Sequence, residues 1–350
     1  MQKIILPRYI TVLFILLLII VIVFILIIGR GIMVPLFLSG YLAVILTPLS
    51  GWLERKKVPR ILSIILSLLL GLATVAGLIT LVILQVSSFT KDLDNVSDRL
   101  NNYLKDIDGF LSGYGLNTGI GNGIDKSQII EMVESNSRTL GEFLLNTVGS
   151  MTSLILIPVF VFFFLLYRDH LTTFVAKLFH DQDTKIVKSE ILQLRKLVQQ
   201  YIVGMFKVMA ILAVLNTGAL YALGIKHALF FGLFAALLNI IPYLGPFLGA
   251  ILPFIFAFLT KDSLFYPIAV VGIFTIIQLI ESNFLTPKIV GNNVNLNAFV
   301  TFFGLLVGGA IWGVIGMILI IPTMAIMRRI FELSESTKPY AFLFGEEKST

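Results

Sequence analysis

Stretches without Asp, Glu, Lys, Arg or His dominate the chain: 9–29, 31–53, 61–90, 143–167, 208–225, 228–260, 263–280 and 289–327. Each reaches the roughly 18 residues that a helix needs to cross a hydrocarbon core. The pattern predicts an all-α integral membrane protein with about eight hydrophobic segments. The first is expected to be a retained helix, since no small-residue cleavage site follows it. Only Arg30 separates the first two, flanked by Gly29 and Gly31, so a tight hairpin is the simplest connection. Pro35 and Pro48 bracket the second stretch.

Between the third and fourth stretches, Phe89, Leu93, Val96, Leu100, Tyr103, Ile107, Phe110 and Tyr114 recur at alternating steps of four and three. This spacing predicts that the third helix continues outward as an amphipathic helical insertion, 86–142. Its apolar face would bury against the protein's own helices or a neighbouring copy, or lie on the outer membrane surface. Glycines at 113, 115, 119, 121 and 123 mark a loop after it. Val187, Ile191, Leu194, Val198 and Tyr201 repeat the spacing and predict an interfacial helix in the connector 168–203. Lys207, near the start of the fifth span, either snorkels to the headgroups or faces a cavity.

The last third differs in kind. The run Ala228 to Thr260 is interrupted by Asn239-Ile-Ile-Pro-Tyr-Leu-Gly-Pro246. Pro242 and Pro246 have no backbone donor and Gly245 adds flexibility, so helical hydrogen bonding must lapse there. Each half, about 14 residues or about 21 Å, falls short of a core about 30 Å thick. A re-entrant hairpin or a broken span follows, serving either packing or a pathway. The run 289–327 is too long for one ordinary helix and carries Gly304, Gly308, Gly309, Gly313 and Gly316. If both runs cross once, Lys261 is cytoplasmic and Lys288 external; if both fold back, the sides exchange. The second arrangement is the expectation.

The domain division expected is 1–85 for three transmembrane helices, 86–142 for the external segment and 143–167 for the fourth helix. The connector 168–203, a core of broken helices at 204–330 and a tail at 331–350 complete it. Composition agrees with the membrane class: 57% of residues are hydrophobic and 13% charged, against about 25% charged in soluble domains. The net charge of +6 sits beside apolar runs, as orientation signals do, and nucleic-acid binding is excluded on that ground. The basic loop Glu54-Arg-Lys-Lys-Val-Pro-Arg60 belongs in the cytoplasm, which places both termini there too. With no cysteine, disulfides and thiolate sites are excluded.

Candidate chemistry is sparse. Glu281 ends the run 263–280, with Gln278 on the same helical face, in Gln278-Leu-Ile-Glu-Ser-Asn-Phe-Leu-Thr-Pro-Lys288. An acid at membrane depth is a candidate for proton exchange or cation binding; the alternative is an interfacial carboxylate, solvated or paired with Lys288. The five late glycines suit close helix packing more readily than a substrate path. His170, His180 and His227 show no metal-ligand spacing, and no Walker loop or catalytic arrangement occurs. Neither an enzyme nor a cofactor or metal site is expected.

Tyr201-Ile-Val-Gly204, Leu223-Gly-Ile225, Asn239 to Gly249, Glu281 to Gly291 and Gly308-Gly-Ala-Ile-Trp-Gly-Val-Ile-Gly316 stand in a specific order. In that order and spacing the chain resembles the autoinducer-2 exporter family, also called PerM-like permeases, over nearly its whole length. Pro35, Pro48 and Pro59-Arg60 share the resemblance. It implies a polytopic transporter of the bacterial inner membrane, exporting autoinducer-2 in some members and exchanging sodium or lithium for protons in others. It also implies a homo-oligomer, with a ring as one arrangement. Asn239, Pro242, Gly245, Pro246, Glu281, Asn283, Pro287 and Gly291 match the family's characteristic segments. Val203, Met205 and Ala298 depart from the family pattern, which weakens any transfer of substrate identity.

Together these readings predict a secondary transporter exporting a small solute, coupled to an ion gradient. Its pathway candidates are Asn239, Pro242, Tyr243, Gly245, Pro246, Gln278, Glu281, Asn283, Pro287, Lys288 and Gly291. A sodium or lithium/proton antiporter and a membrane scaffold acting through the outward segment are the alternatives.

Overall fold

The structure, a computed structural model, describes residues 7–90, 112–113, 151–178, 184–290, 295–333 and 335–346. Among these the protein is helical, and the only extended pairing is an isolated bridge between Leu296 and Gly345. By length and apolarity five helices qualify as membrane spans, or six if one bent pair counts as a single span. Most of the segment 86–142 lies outside the described residues.

The chain divides into two compact units, each discontinuous in sequence. One comprises Met1–Leu68, Leu144–Val198 and Val294–Thr350; the other comprises Leu69–Phe143 and Gln199–Asn293. Helices α3 (Arg60–Thr90) and α6 (Thr184–Ala222) begin in the first unit and end in the second. At 31 residues, α3 is about 46 Å long, well beyond the hydrocarbon thickness. Connector and fifth span run together in α6 as one helix of 39 residues, with Val187, Val198 and Tyr201 buried.

In the first unit, α1 (Arg8–Ile28) is separated from α2 (Arg30–Arg55) by Gly29 alone. The connection is thus shorter than the expected two-glycine turn, because Arg30 and Gly31 are already helical. Pro35 and Pro48 lie inside α2 rather than at its ends. Ala43, Ile64, Val161 and Leu165 form a small core between α2, α3 and α4 (Met151–Leu166). From α4 the chain bends by 69° into α5 (Arg168–Leu178). Arg60 holds that bend: its Nη2 donates to Leu166 O at 2.7 Å and its Nη1 lies 3.0 Å from Asp169 Oδ2. Arg168 pairs with Glu54 at 2.5 Å.

The same unit ends in α11 (Ala298–Glu332), which is folded back on itself. Trp312 (φ −132°, ψ 18°) and Gly313 (φ 62°, ψ −142°) are not helical, and the arms on either side meet in antiparallel register. A Cβ on Gly316 would lie 1.9 Å from Gly308 O, and one on Gly304 would lie 2.3 Å from Met324 Sδ. The short helix α12 (Lys338–Phe344) then returns to the start of α11. Asn297 Nδ2 donates to Leu343 O at 2.7 Å, and Asn297 N donates to Phe344 O at 3.0 Å. Both ends of α11 therefore lie at the same end of the unit.

The second unit contains α7 (Ala228–Leu238), α8 (Leu244–Thr260) and α9 (Phe265–Ile280). Neither α7 nor α8 reaches spanning length. They form an antiparallel hairpin so close that a Cβ on Gly249 would lie 2.8 Å from Ala235 Cα. Phe231, Phe256, Ala257, Val270 and Leu220 form the core that joins α6 to all three. Van der Waals packing of these side chains holds the hairpin in place, because lipid tails are as apolar as the core and leave no hydrophobic driving force between helices.

Candidate functional site

The prolines of the 239–246 cluster do not kink a continuous helix; they build the turn of the hairpin. Asn239 caps α7, and the N–H groups of Ile240 and Ile241 close tight turns onto Leu237 O and Leu238 O. Leu244 N then donates to Pro242 O at 2.8 Å around Tyr243, whose φ of 65° and ψ of −47° form the rarer, strained kind of γ-turn. Pro246 falls in the first turn of α8, where a missing N–H leaves no helical bond unmade. Gly245 is obligatory for a different reason: a Cβ there would lie 2.0 Å from Leu238 O.

At its far end α9 widens into a π-type turn, Glu281–Leu285, before α10 (Thr286–Ile289). Such one-turn expansions recur at functional sites. Thr286 N donates to Glu281 O, five residues back. The Glu281 side chain is 9% exposed. Gln278 Nε2 donates to its Oε2 at 2.7 Å, and Thr286 Oγ1 donates to its Oε1. A buried carboxylate is thus held by two neutral donors, with no cation paired to it among the described residues. Lys288, the partner considered from sequence, is exposed and outside this contact. Where α6 passes this segment, a Cβ on Gly204 would meet Val290 Cα at 3.0 Å, so the backbones touch.

Between α6, the α7–α8 hairpin and α9 lies a cavity of about 520 Å³. Asn239, Tyr243 and Pro246 of the turn line it, as does Gln278. Glu281 sits one turn behind Gln278 and touches the cavity through it. The rest of the wall includes Phe247, Phe254, Phe274 and Ile277, with Asn216 and Thr275 as further polar groups. Of the other candidates, Pro242 and Gly245 shape the turn without reaching the wall, while Asn283, Pro287 and Lys288 are exposed and point elsewhere. Asn283 Nδ2 is engaged by Leu279 O at 2.8 Å. Gly291 lies outside the described residues, as does His180.

The model for AI-2E family transporters matches residues 13–335. The chain belongs to the AI-2E transporter family. It is 27% identical to YrrI of Bacillus subtilis over 85% of both chains, a relative provisionally named a transport protein. It is 26% identical to the AI-2 transport protein TqsA of Escherichia coli K12 over 90% of both chains. The protein is therefore a multi-pass membrane transporter by family, and its apolar helices fit that class.

On this AI-2E transporter the recognisable motifs fall in two places. Gly204, Asn239 to Gly249 and Glu281 to Val290 lie in the second unit, the middle segment on the cavity and Gly204 packed on Val290, whereas Gly308 to Gly316 forms the folded arms of α11 in the first. Gly309 faces Met317, and Gly313 takes the left-handed φ at the bend. Sequence reasoning missed Asn216, Thr275 and Thr286. A signal existed for two of them: Asn216 is a lone amide in an uncharged run, and Thr275 precedes Gln278 by one helical step on the same face.

Proposed function

We propose that the second unit is the translocating core of a secondary transporter, with the cavity as its solute site and Glu281 as its coupling group. The observation that carries this reading is the convergence of Asn239, Tyr243 and Pro246 with Gln278, itself bonded to Glu281, on one cavity. Binding sites at broken helices are a recurring device of transporters, because unwound backbone is tolerated only where it lines a cavity or is covered by protein. Export of a small solute across a bacterial inner membrane, driven by a proton or sodium gradient, follows as the working mechanism, and transport rather than enzymatic turnover as the activity. The name of TqsA makes AI-2 the first solute to test. Purified protein in liposomes with imposed gradients should show gradient-driven solute flux that falls about tenfold or more in Glu281→Gln, since a group that exchanges the coupling ion cannot be replaced by a neutral isostere. Unchanged flux in that variant would overturn the coupling role.

A cation/proton antiporter is the second reading, favoured by a buried carboxylate without a cationic partner among the described residues. Ion-induced pH change in liposomes free of organic solute separates it from the first. For topology, the pairing of Asn297 with the chain at Leu343 supports fold-back of the last run, with both termini and Lys288 in the cytoplasm and Lys261 outside. In the cysteine-free chain, Lys261→Cys should react with an impermeant thiol reagent from outside and Lys288→Cys only from inside; labelling of the latter from outside alone would sink the arrangement. The homo-oligomer implied by resemblance is a further part of the proposal, to be read by native mass spectrometry.

A further inference from the structure

One wall of the cavity comes from α6 and holds a polar side chain that lies outside the family motifs. Asn216 is 5% exposed and lines the cavity, and its Oδ1, fully buried in this orientation, has no hydrogen-bond partner among the described residues. Leaving a buried polar atom unpaired costs about 1–3 kcal/mol, and most such atoms are satisfied by protein or water. The side-chain amide can also be turned over, so the group offers an acceptor or donors to whatever enters. Asn239, Thr275 and Gln278 add neutral polar groups, whereas among the described residues no Asp, Glu, Lys, Arg or His stands on the wall. The phenyl rings of Phe247, Phe254 and Phe274 supply apolar surface. An ion would lose its hydration here without meeting a counter-charge. An uncharged solute with hydroxyl groups would give donors to Asn216 and Asn239 and lay its carbon skeleton on the rings.

We infer that Asn216 is the specificity-determining contact for an uncharged, hydroxyl-bearing solute bound in this cavity. The inference deepens the transport reading and rests on it only for the step of translocation. Ribitol and ribonate share a carbon skeleton and differ in charge, so they serve as probes for the full-length protein in liposomes. Ribitol should bind and cross, ribonate should do neither, and Asn216→Leu should lower ribitol binding and flux about tenfold, the loss expected when one hydrogen bond to the solute goes unmade. Asn216→Ser, which restores a hydroxyl, should recover part of both. Ribitol binding without flux supports the inference and overturns the transport reading. Ribitol flux that Asn216→Leu leaves unchanged overturns the inference and supports transport, and absence of ribitol binding overturns the inference outright. Should leucine disturb folding, Asn216→Cys places a single thiol in a chain with no other. Its reaction with uncharged N-ethylmaleimide should be slowed by ribitol but not by ribonate; equal rates with and without ribitol would overturn the assignment.

Discussion

The hairpin of α7 and α8 turns through Asn239 to Tyr243, where proline and a strained tyrosine leave polar side chains on a cavity. The hairpin within α11 turns at Trp312 and Gly313, and its arms press together at Gly308 and Gly316 until backbone meets backbone. Both fold an overlong apolar run back on itself, but by opposite chemistry. Proline makes the first turn by withholding donors, and the side chains around it remain free to face a solute. Glycine makes the second by removing side chains, which permits close approach and leaves nothing there to bind one. Trp312 adds a fixed point: its Nε1 donates to Leu26 O at 2.9 Å and its ring lies 5.3 Å from that of Phe37.

If this contrast is right, equivalent changes in the two hairpins should harm different properties. The largest effect is expected from Gly316→Ala, whose Cβ would overlap Gly308 O. Neither backbone can yield without opening the arms, so a loss of about 3 kcal/mol or more is expected, read as a lower denaturation midpoint in detergent. Next comes Gly313→Ala, which meets open space but must hold a φ of 62° with a ψ of −142°, a conformation almost confined to glycine, for a cost of about 1–3 kcal/mol. Trp312→Phe, which keeps the ring and loses the bond to Leu26 O, should cost about 1 kcal/mol. The smallest change in stability, within about 1 kcal/mol, is expected from Tyr243→Gly, since glycine accepts the positive φ that strains tyrosine. That variant should nevertheless lower solute flux, because it strips a side chain from the cavity wall. Gly316→Ala protein with full stability, or Tyr243→Gly with full flux, would break the contrast.

Most of the helical layout was legible because a bilayer imposes it: uncharged runs of spanning length admit few other structures. The interruption at Asn239 to Pro246 was legible too, since proline has a local cost that no tertiary context removes. The bend in α11 was harder to place. Five glycines spread across 304–316 mark a weak region, and only the packing of Gly308 on Gly316 shows that Trp312 and Gly313 make the turn. The candidate site was half legible. Gln278 and Glu281 stood out as polar groups in apolar sequence, yet Asn283, Pro287 and Lys288, equally prominent in their motif, face away from the cavity. Rotation about a helix decides this, and a π-type turn at Glu281 shifts the rotation in a way that a 3.6-residue period does not anticipate.

By itself, then, the chain's pattern determined the membrane class and the break at Asn239 to Pro246. Those follow from local free energies, of apolar burial and of absent backbone donors, that each residue carries wherever it is placed. Tertiary structure decided which polar groups share a wall. Asn216 and Gln278 are 62 residues apart in sequence, and no local rule couples them. They meet because α6, α8 and α9 pack around Phe231 and Phe256, and the register of that packing depends on every side chain in it at once.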